Sequence, residues 1–335
     1  MTDKHSLGRR GYLLLLFGIL FFLSGCGEKP AAEAPGGYDV VDDRGRTIHF
    51  DAKPQRVYGN TLSLEEVLLD LLPPERIAAV SPPTLDPEYS LAADKAARVA
   101  GRVPAYPGPE PIAALGPDLI FAQLRARPET IATLEEMGFK VFCMEVPTNL
   151  DMVRKRLKQM GEAVGEPEQG QKLIDELDEK VAYVAAHTDQ IPPEKRKVLL
   201  GFSGRGAFGH PDGLFNDICR QSGVINGAAR IHMAYGSHLS DEQILQIDPD
   251  ILMFVDGGAD NDYGGKIREQ VLGDPALQTA KAVRNRSFFF LKDRYRASNT
   301  QHMGDAILQV AKNVYPDAFT SIDENKGENT GRENP

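Results

Sequence analysis

The sequence predicts an α/β protein: two Rossmann-like lobes, each with a central, mostly parallel sheet, joined by one long α-helix. Three observations carry this expectation. From about residue 47 onward, apolar strand-like runs alternate with helical ones, the pattern of parallel sheets covered by helices. One unit is written twice, about 130 residues apart, as "EPIAALGPDLIF" from Glu110 and "EQILQIDPDILMF" from Glu242. Between the two halves, a helical stretch beginning at Pro167 meets no strong breaker until Pro192. A helix of some 23 residues would reach about 35 Å, roughly the width of a small domain.

The elements follow in order. "RTIHF" and "QRVYGN" read as strands, and "SLEEVLLDLL" as a helix with Leu64, Val67, Leu68 and Leu71 on one stripe. "RIAAVS" reads as a strand. The first copy of the unit gives a short helix and the strand "DLIFAQ". "RPETIATLEEMG" is a helix ended by Gly138, and "KVFCMEV" a strand. "NLDMVRKRLKQMGEAVG" is a helix, and the long one follows with Leu173, Leu177, Val181 and Val184 as its stripe. Pro167 suits a first helical turn. In the second half, "KVLLGFS" is a strand, "GLFNDICRQSG" a helix, the second copy a helix plus "DILMFV", "GKIREQVLG" a helix and "RSFFFL" a strand. A closing helix carries Met303, Ala306, Ile307 and Val310 on one face. The expected division is 39–148 for the first lobe, 149–192 for the helical linker and 193–318 for the second lobe. A stiff linker limits hinge motion, so the cleft between the lobes should close only modestly.

In both copies of the unit, Pro-Asp ends the helix and launches a buried strand, as Pro117-Asp118 and Pro249-Asp250. Each acid, Glu110 or Glu242, leads its helix, where the N-terminal partial charge favours it. Ser240 with Gln243 fits a capping box. Helix electrostatics is therefore one sufficient reason for the repeated acid.

Composition bounds the function. The chain has 335 residues, 41% hydrophobic and 26% charged, with a formal net charge of −10. It reads as globular, and it lacks the basic excess of a nucleic-acid binder. Lys4, Arg9 and Arg10 precede an apolar run, Tyr12 to Leu23, too short to span a bilayer comfortably. "LSGC" follows, ending at Cys26. Residues 1–25 thus read as a secretory signal, with an uncleaved anchor as the alternative. The ending resembles the bacterial lipobox, which implies lipidation of Cys26 and attachment to the membrane through that lipid. Residues 26–38 read as a flexible tether and 319–335 as a disordered tail. Cys143 and Cys219 fall in different lobes and read as buried, unpaired thiols.

The chain resembles the substrate-binding lipoproteins of ABC importers that take up iron-siderophores, cobalamin and haem. The resemblance rests on "VVDDRGRTIHFDAKPQRVYG", "EPIAALGPDLIF", the long helix, and "GLFNDICRQSGVINGAA" followed by "LSDEQILQIDPDILMF". It implies an extracytoplasmic monomer, not an enzyme, that captures a small metal chelate and delivers it to a permease dimer with its ATPase subunits. The chelate classes are ferric siderophore first, then corrinoid and haem, with no resident cofactor. It also implies that Glu110 and Glu242 dock into arginine pockets on the permease; such rim charges set register and on-rate.

Ligand contacts are expected on loops at the carboxyl ends of strands. Those loops offer Tyr58, Asn60, Tyr89, Tyr106, Arg125 and Arg127 in the first lobe. In the second they offer Arg205, Phe208, His210, Tyr235, His238, Arg294, Tyr295 and Arg296. The expected ligand residues among them are Tyr58, Arg125, Arg205, His210, Tyr235, Arg294 and Tyr295. Arginine's planar fork suits carboxylate and catecholate oxygens, and tyrosine adds stacking area and a hydroxyl. Arg205 stands out because glycines flank it. No direct metal ligand is assigned; His210 and His238 are the candidates, each also at home as a polar loop residue.

Two other classes stay open. His210, His232 and His238 could serve a carrier of free zinc or manganese, although matching ligands in the first lobe are lacking. "GRGAFG" matches the glycine pattern of dinucleotide-binding enzymes, but "HPDG" stands where the helix should run. No G-x-S-x-G elbow supports a hydrolase.

Overall fold

The structure, a computed structural model, describes residues 37–124, 127–204, 206–234, 236–257, 262–296 and 298–320. The secretory signal, Cys26, Arg125, Arg205, Tyr235 and most of the expected tail lie outside the described residues.

β1 (Tyr38–Val41) and β2 (Thr47–Phe50) pair antiparallel. Tyr38 stacks on Phe50 with ring centroids 5.2 Å apart, and its hydroxyl donates to Ala163 O at 3.0 Å. Tyr38, expected in the tether, is instead part of the packed lobe. The sheet of the first lobe is β3 (Val57–Gly59), β4 (Leu119–Gln123) and β5 (Val141–Met144), in that order and all parallel. "RIAAVS" does not form a full strand. It makes single parallel bridges, Val57 to Ile77 on one side and Val80 to Arg102 on the other. Its amides alternate between neighbours, Ala78 N to Val57 O at 2.8 Å and Val80 N to Gly101 O at 3.2 Å, over too short a length for a ladder. Around this sheet lie α1 (Leu62–Leu71), α2 (Pro109–Ala114) and α3 (Pro128–Glu136). Gly138, at φ +88°, supplies the left-handed turn after α3.

α4 (Leu150–Ala163) and α5 (Pro167–Thr188, 22 residues) form the linker. Asn149 caps α4 by accepting Met152 N at 2.9 Å. The two helices touch backbone to backbone: a Cβ on Gly161 would lie 3.0 Å from Glu166 O and from Gly170 Cα.

The second sheet holds β6 (Val198–Ser203), β7 (Gly206–Phe208), β8 (Ile225–Asn226), β9 (Ile251–Asp256) and β10 (Phe288–Lys292). β10, β9 and β6 run parallel in that order. β6 then pairs with β7 antiparallel and with β8 in parallel. Helices α6 (Leu214–Gln221), α7 (Asp241–Ile247), α8 (Tyr263–Gly273) and α9 (Met303–Val314) belong to this half. The expected capping box opens α7: Ser240 Oγ accepts Gln243 N at 3.3 Å, and Gln243 Oε1 accepts Ser240 N at 3.0 Å. Gly206–Phe208 of "GRGAFG" form β7, antiparallel to β6, and the next described helix starts only at Leu214. The motif therefore presents no helix N-terminus to a pyrophosphate, against the dinucleotide reading.

The linker is not a bare rod. One apolar core runs without interruption from Leu64 and Leu68 in α1, through Leu157, Leu173 and Val184 in the linker, to Leu199, Met253 and Ile307 in the second lobe. Each fully buried Leu, Ile or Val stabilises the fold by about 1.5–3 kcal/mol. That shared core, rather than helix length alone, opposes hinge motion. Phe319, expected in the tail, is buried in the same core, with its ring stacked on His187 at 4.5 Å. Cys143 and Cys219 are buried and unpaired, and burial pushes the Cys143 thiol up to about 11.

Candidate functional site

Parallel strands release their loops at their carboxyl ends, and in the first lobe those loops enclose a cavity of about 520 Å³. β3 leads into Asn60 and Thr61, whose position is fixed when Asn60 Oδ1 accepts Gln123 N at 3.0 Å. The 77–80 segment leads into Ser81–Tyr89, and the segment after Arg102 into Ala105–Pro107. Tyr58 lies at the cavity floor, only 1% exposed and packed in the core, and burial raises its hydroxyl pKa strongly. Tyr89 and Tyr106 also line the cavity. Tyr106 is 73% exposed, and its backbone is left-handed at φ +56°.

Two adjacent acids fix the cavity wall. Glu65 and Glu66 in α1 are 1% and 4% exposed. Glu65 accepts Ser81 N at 3.1 Å, Ser81 Oγ at 2.9 Å and the Thr84 hydroxyl. Glu66 accepts Ser90 Oγ at 2.8 Å and Leu91 N at 3.0 Å. Burial raises both carboxyl pKa values despite these bonds. Sequence reading missed both. A signal was present for Glu65, which has Leu62 three residues before it and Leu68 and Leu69 three and four after it; Glu66 shares its face with Ser63 and Asp70 and gives no such signal.

A second, smaller cavity of about 150 Å³ lies at the seam between the lobes and shares Leu62 and Tyr89 with the first. Here the lobes are tied directly. Lys292 Nζ lies 3.2 Å from Glu88 Oε1, and Arg294 Nη1 donates to Pro87 O at 2.6 Å. Thr300 Oγ1 donates to Glu66 Oε2 at 3.4 Å, and Gln301 Nε2 to Glu66 O at 3.1 Å. Arg156, buried at 2% exposure, donates to Glu145 O at 2.6 Å, with Ser63 Oγ and Asn299 O each 3.4 Å away. Burial lowers its pKa to about 10.

Of the expected ligand residues, Tyr58 is brought to the cavity and Arg294 to the seam. The Arg294 guanidinium lies 5.3 Å from the Tyr295 ring centroid. Tyr295 packs partly against the main core. His210 sits in the turn after β7, its Nδ1 accepting Asp212 N at 3.0 Å. The exposed His238 lies beside Gly206. Among the described residues, no group of three or more His, Cys, Asp or Glu is placed to hold a metal ion.

Glu110 and Glu242 are both exposed in the first turns of α2 and α7. Each helix runs through its Pro-Asp turn into β4 or β9. Its N-terminus therefore stands at the edge of the sheet where that strand's carboxyl end lies. The Ser240 hydroxyl holds the Glu242 carboxyl below its ordinary pKa.

Several solved structures share this architecture. The haem-binding protein RhuT of Roseiflexus sp. RS-1 is 21% identical, with a TM-score of 0.66 over 79% of this chain and 99% of its own. The molybdate-bound MolA of Haemophilus influenzae is 17% identical, with a TM-score of 0.69 over 86% and 94%. CeuE of Helicobacter pylori, in a nickel–histidine complex, is 16% identical, with a TM-score of 0.67 over 87% and 92%. At these identities the likeness is one of fold. No curated protein sequence matches the chain significantly. The family described as periplasmic binding protein matches residues 61–295, well over half of the sequence. The chain belongs to that family.

Proposed function

We propose that this protein captures a metal chelate in its cleft and delivers it to the permease dimer of an ABC importer, whose ATPase subunits power uptake. A ferric siderophore is the leading class, followed by corrinoid and haem. The protein acts as a monomer outside the cytoplasm, held to the membrane by a lipid on Cys26. Glu110 and Glu242 set its register on the permease.

One observation carries the reading: the cavity at the carboxyl ends of the first sheet. Its volume of about 520 Å³ suits a small-molecule chelate, and tyrosines line it. The haem, molybdate and nickel in the names of the structural neighbours agree with a metal-bearing ligand.

The test is a titration of the purified protein with ferric enterobactin, cyanocobalamin and haemin. The chelates' own absorption bands serve as the signal, since the chain has no Trp. Saturable one-to-one binding of one probe, at about micromolar Kd or tighter, is expected. Binding of none removes the metal-chelate reading.

A further inference from the structure

Tyr106 departs from its surroundings in three ways at once. It is among the large apolar-bodied side chains left exposed, at 73%, while it lines the mouth of the first-lobe cavity. Its φ is +56°, uncommon for any residue with a Cβ and costly for a bulky one. The next residue is Pro107, and a residue before proline favours extended backbone. Such a conformation persists only where the surroundings enforce it.

Among the described residues, one side chain fastens this segment. The Arg127 guanidinium donates from Nη1 to Tyr106 O, and to Pro107 O at 2.9 Å. Arg127 is itself left-handed, at φ +56°, immediately before Pro128, which opens α3. Two pre-proline residues, 21 positions apart, thus hold sparsely populated conformations and are fastened to each other. The contact does not bury the Tyr106 ring. It leaves the ring exposed at the cavity mouth, with the backbone fixed.

We infer that Tyr106 is a preorganised aromatic platform for the bound chelate, and that Arg127 is its positioning residue. The inference rests on the chelate reading above and deepens it. The ligand class it selects presents a flat, π-rich or apolar face at the cavity mouth, as a macrocycle or aromatic chelator does. A small hydrated oxyanion offers no such face. A rigid ring adds contact area with little ordering cost at binding.

A double-mutant cycle tests this, using whichever of haemin, cyanocobalamin and ferric enterobactin binds the wild type. Tyr106→Ala should raise Kd about tenfold or more, while Tyr106→Phe stays within about threefold. Arg127→Ala should raise Kd about three- to tenfold in the wild type, and have no further effect in the Tyr106→Ala background. An arginine acting only on lobe stability would weaken both backgrounds equally, which would overturn the assignment. So would unchanged affinity in Tyr106→Ala, or Tyr106→Phe losing as much as Tyr106→Ala. Hydrogen exchange of residues 103–110 in the ligand-free protein supplies an arm that needs no probe. Faster exchange in Arg127→Ala supports the brace, and unchanged exchange overturns it even if no probe binds.

Discussion

The carboxylate of Asp250 accepts the backbone amide of Val198 at 2.8 Å, and Val198 O accepts the amide of Asp250 at 2.9 Å. This closed pair fastens the start of β6 to the turn that launches β9. Asp118 does the same in the first lobe, accepting Gln55 N and Arg56 N at 2.6 and 2.9 Å while its own amide donates to Arg56 O. The repeated Pro-Asp is therefore a register pin between neighbouring parallel strands.

Asp250 is also paired with Lys281, and its pKa is lowered: burial alone would raise it, but the bonds to Lys281 and Val198 N prevail. Asp250→Ala should cost about 1.5–3 kcal/mol in denaturant unfolding, as for a charge-assisted bond with little exposure. Asp118→Ala, at an exposed site, should cost less, about 0.5–1 kcal/mol. Because the folded pKa of Asp250 is depressed, its contribution is present above the ordinary carboxyl pKa. It is lost as pH falls through the folded value. The stability gap between wild type and Asp250→Ala should therefore narrow on the acid side.

Gly161→Ala should destabilise the protein although it adds a better helix former. The intrinsic gain is about 1 kcal/mol. The new Cβ would meet Glu166 O and Gly170 Cα at 3.0 Å, backbone atoms that cannot swing aside, and overpacking costs about 1–3 kcal/mol. A lower Tm with unchanged chelate affinity is the expected pair of results.

Glu66→Gln tests the buried acids. The folded pKa of Glu66 is raised chiefly by burial, so its proton is held more tightly in the folded state. Its favourable contribution is complete below the ordinary carboxyl pKa and is lost as pH rises through the folded value. Wild-type stability relative to Glu66→Gln should fall as pH rises above the ordinary carboxyl range, by no more than about 1.4 kcal/mol per pH unit. A flat difference above that range would show that Glu66 is charged throughout.

Glu110→Ala combined with Glu242→Ala should leave ligand affinity unchanged and reduce transport in reconstituted vesicles. Weakened ligand binding in this variant would place the two acids in the binding site rather than at the permease.

Much of the architecture was legible because it is written in periodicity. The stripe of Leu173, Leu177, Val181 and Val184 gave the long helix, and Ser240 with Gln243 gave the start of α7. The misses have physical causes. β7 and β8 are three and two residues long, below the length at which alternation registers. At the site, Tyr58 belongs to a strand whose every residue is buried, which a three-residue run does not announce. Arg294 looks available in sequence, yet it is committed to Pro87 O, 207 positions away. Pairing over such separation leaves no local trace. The same holds for Arg127 and Tyr106, since left-handed backbone at Tyr or Arg has no residue signature of its own.

The central claim is that the chelate sits at the carboxyl ends of the first sheet, against the seam between the lobes. Hydrogen–deuterium exchange, with and without a saturating concentration of the chelate that binds, addresses it directly. Slower exchange should concentrate in residues 58–62, 81–89, 105–107 and 292–299, with the linker helices unchanged. Protection confined to the opposite ends of the strands, or spread evenly over both lobes, would contradict the account.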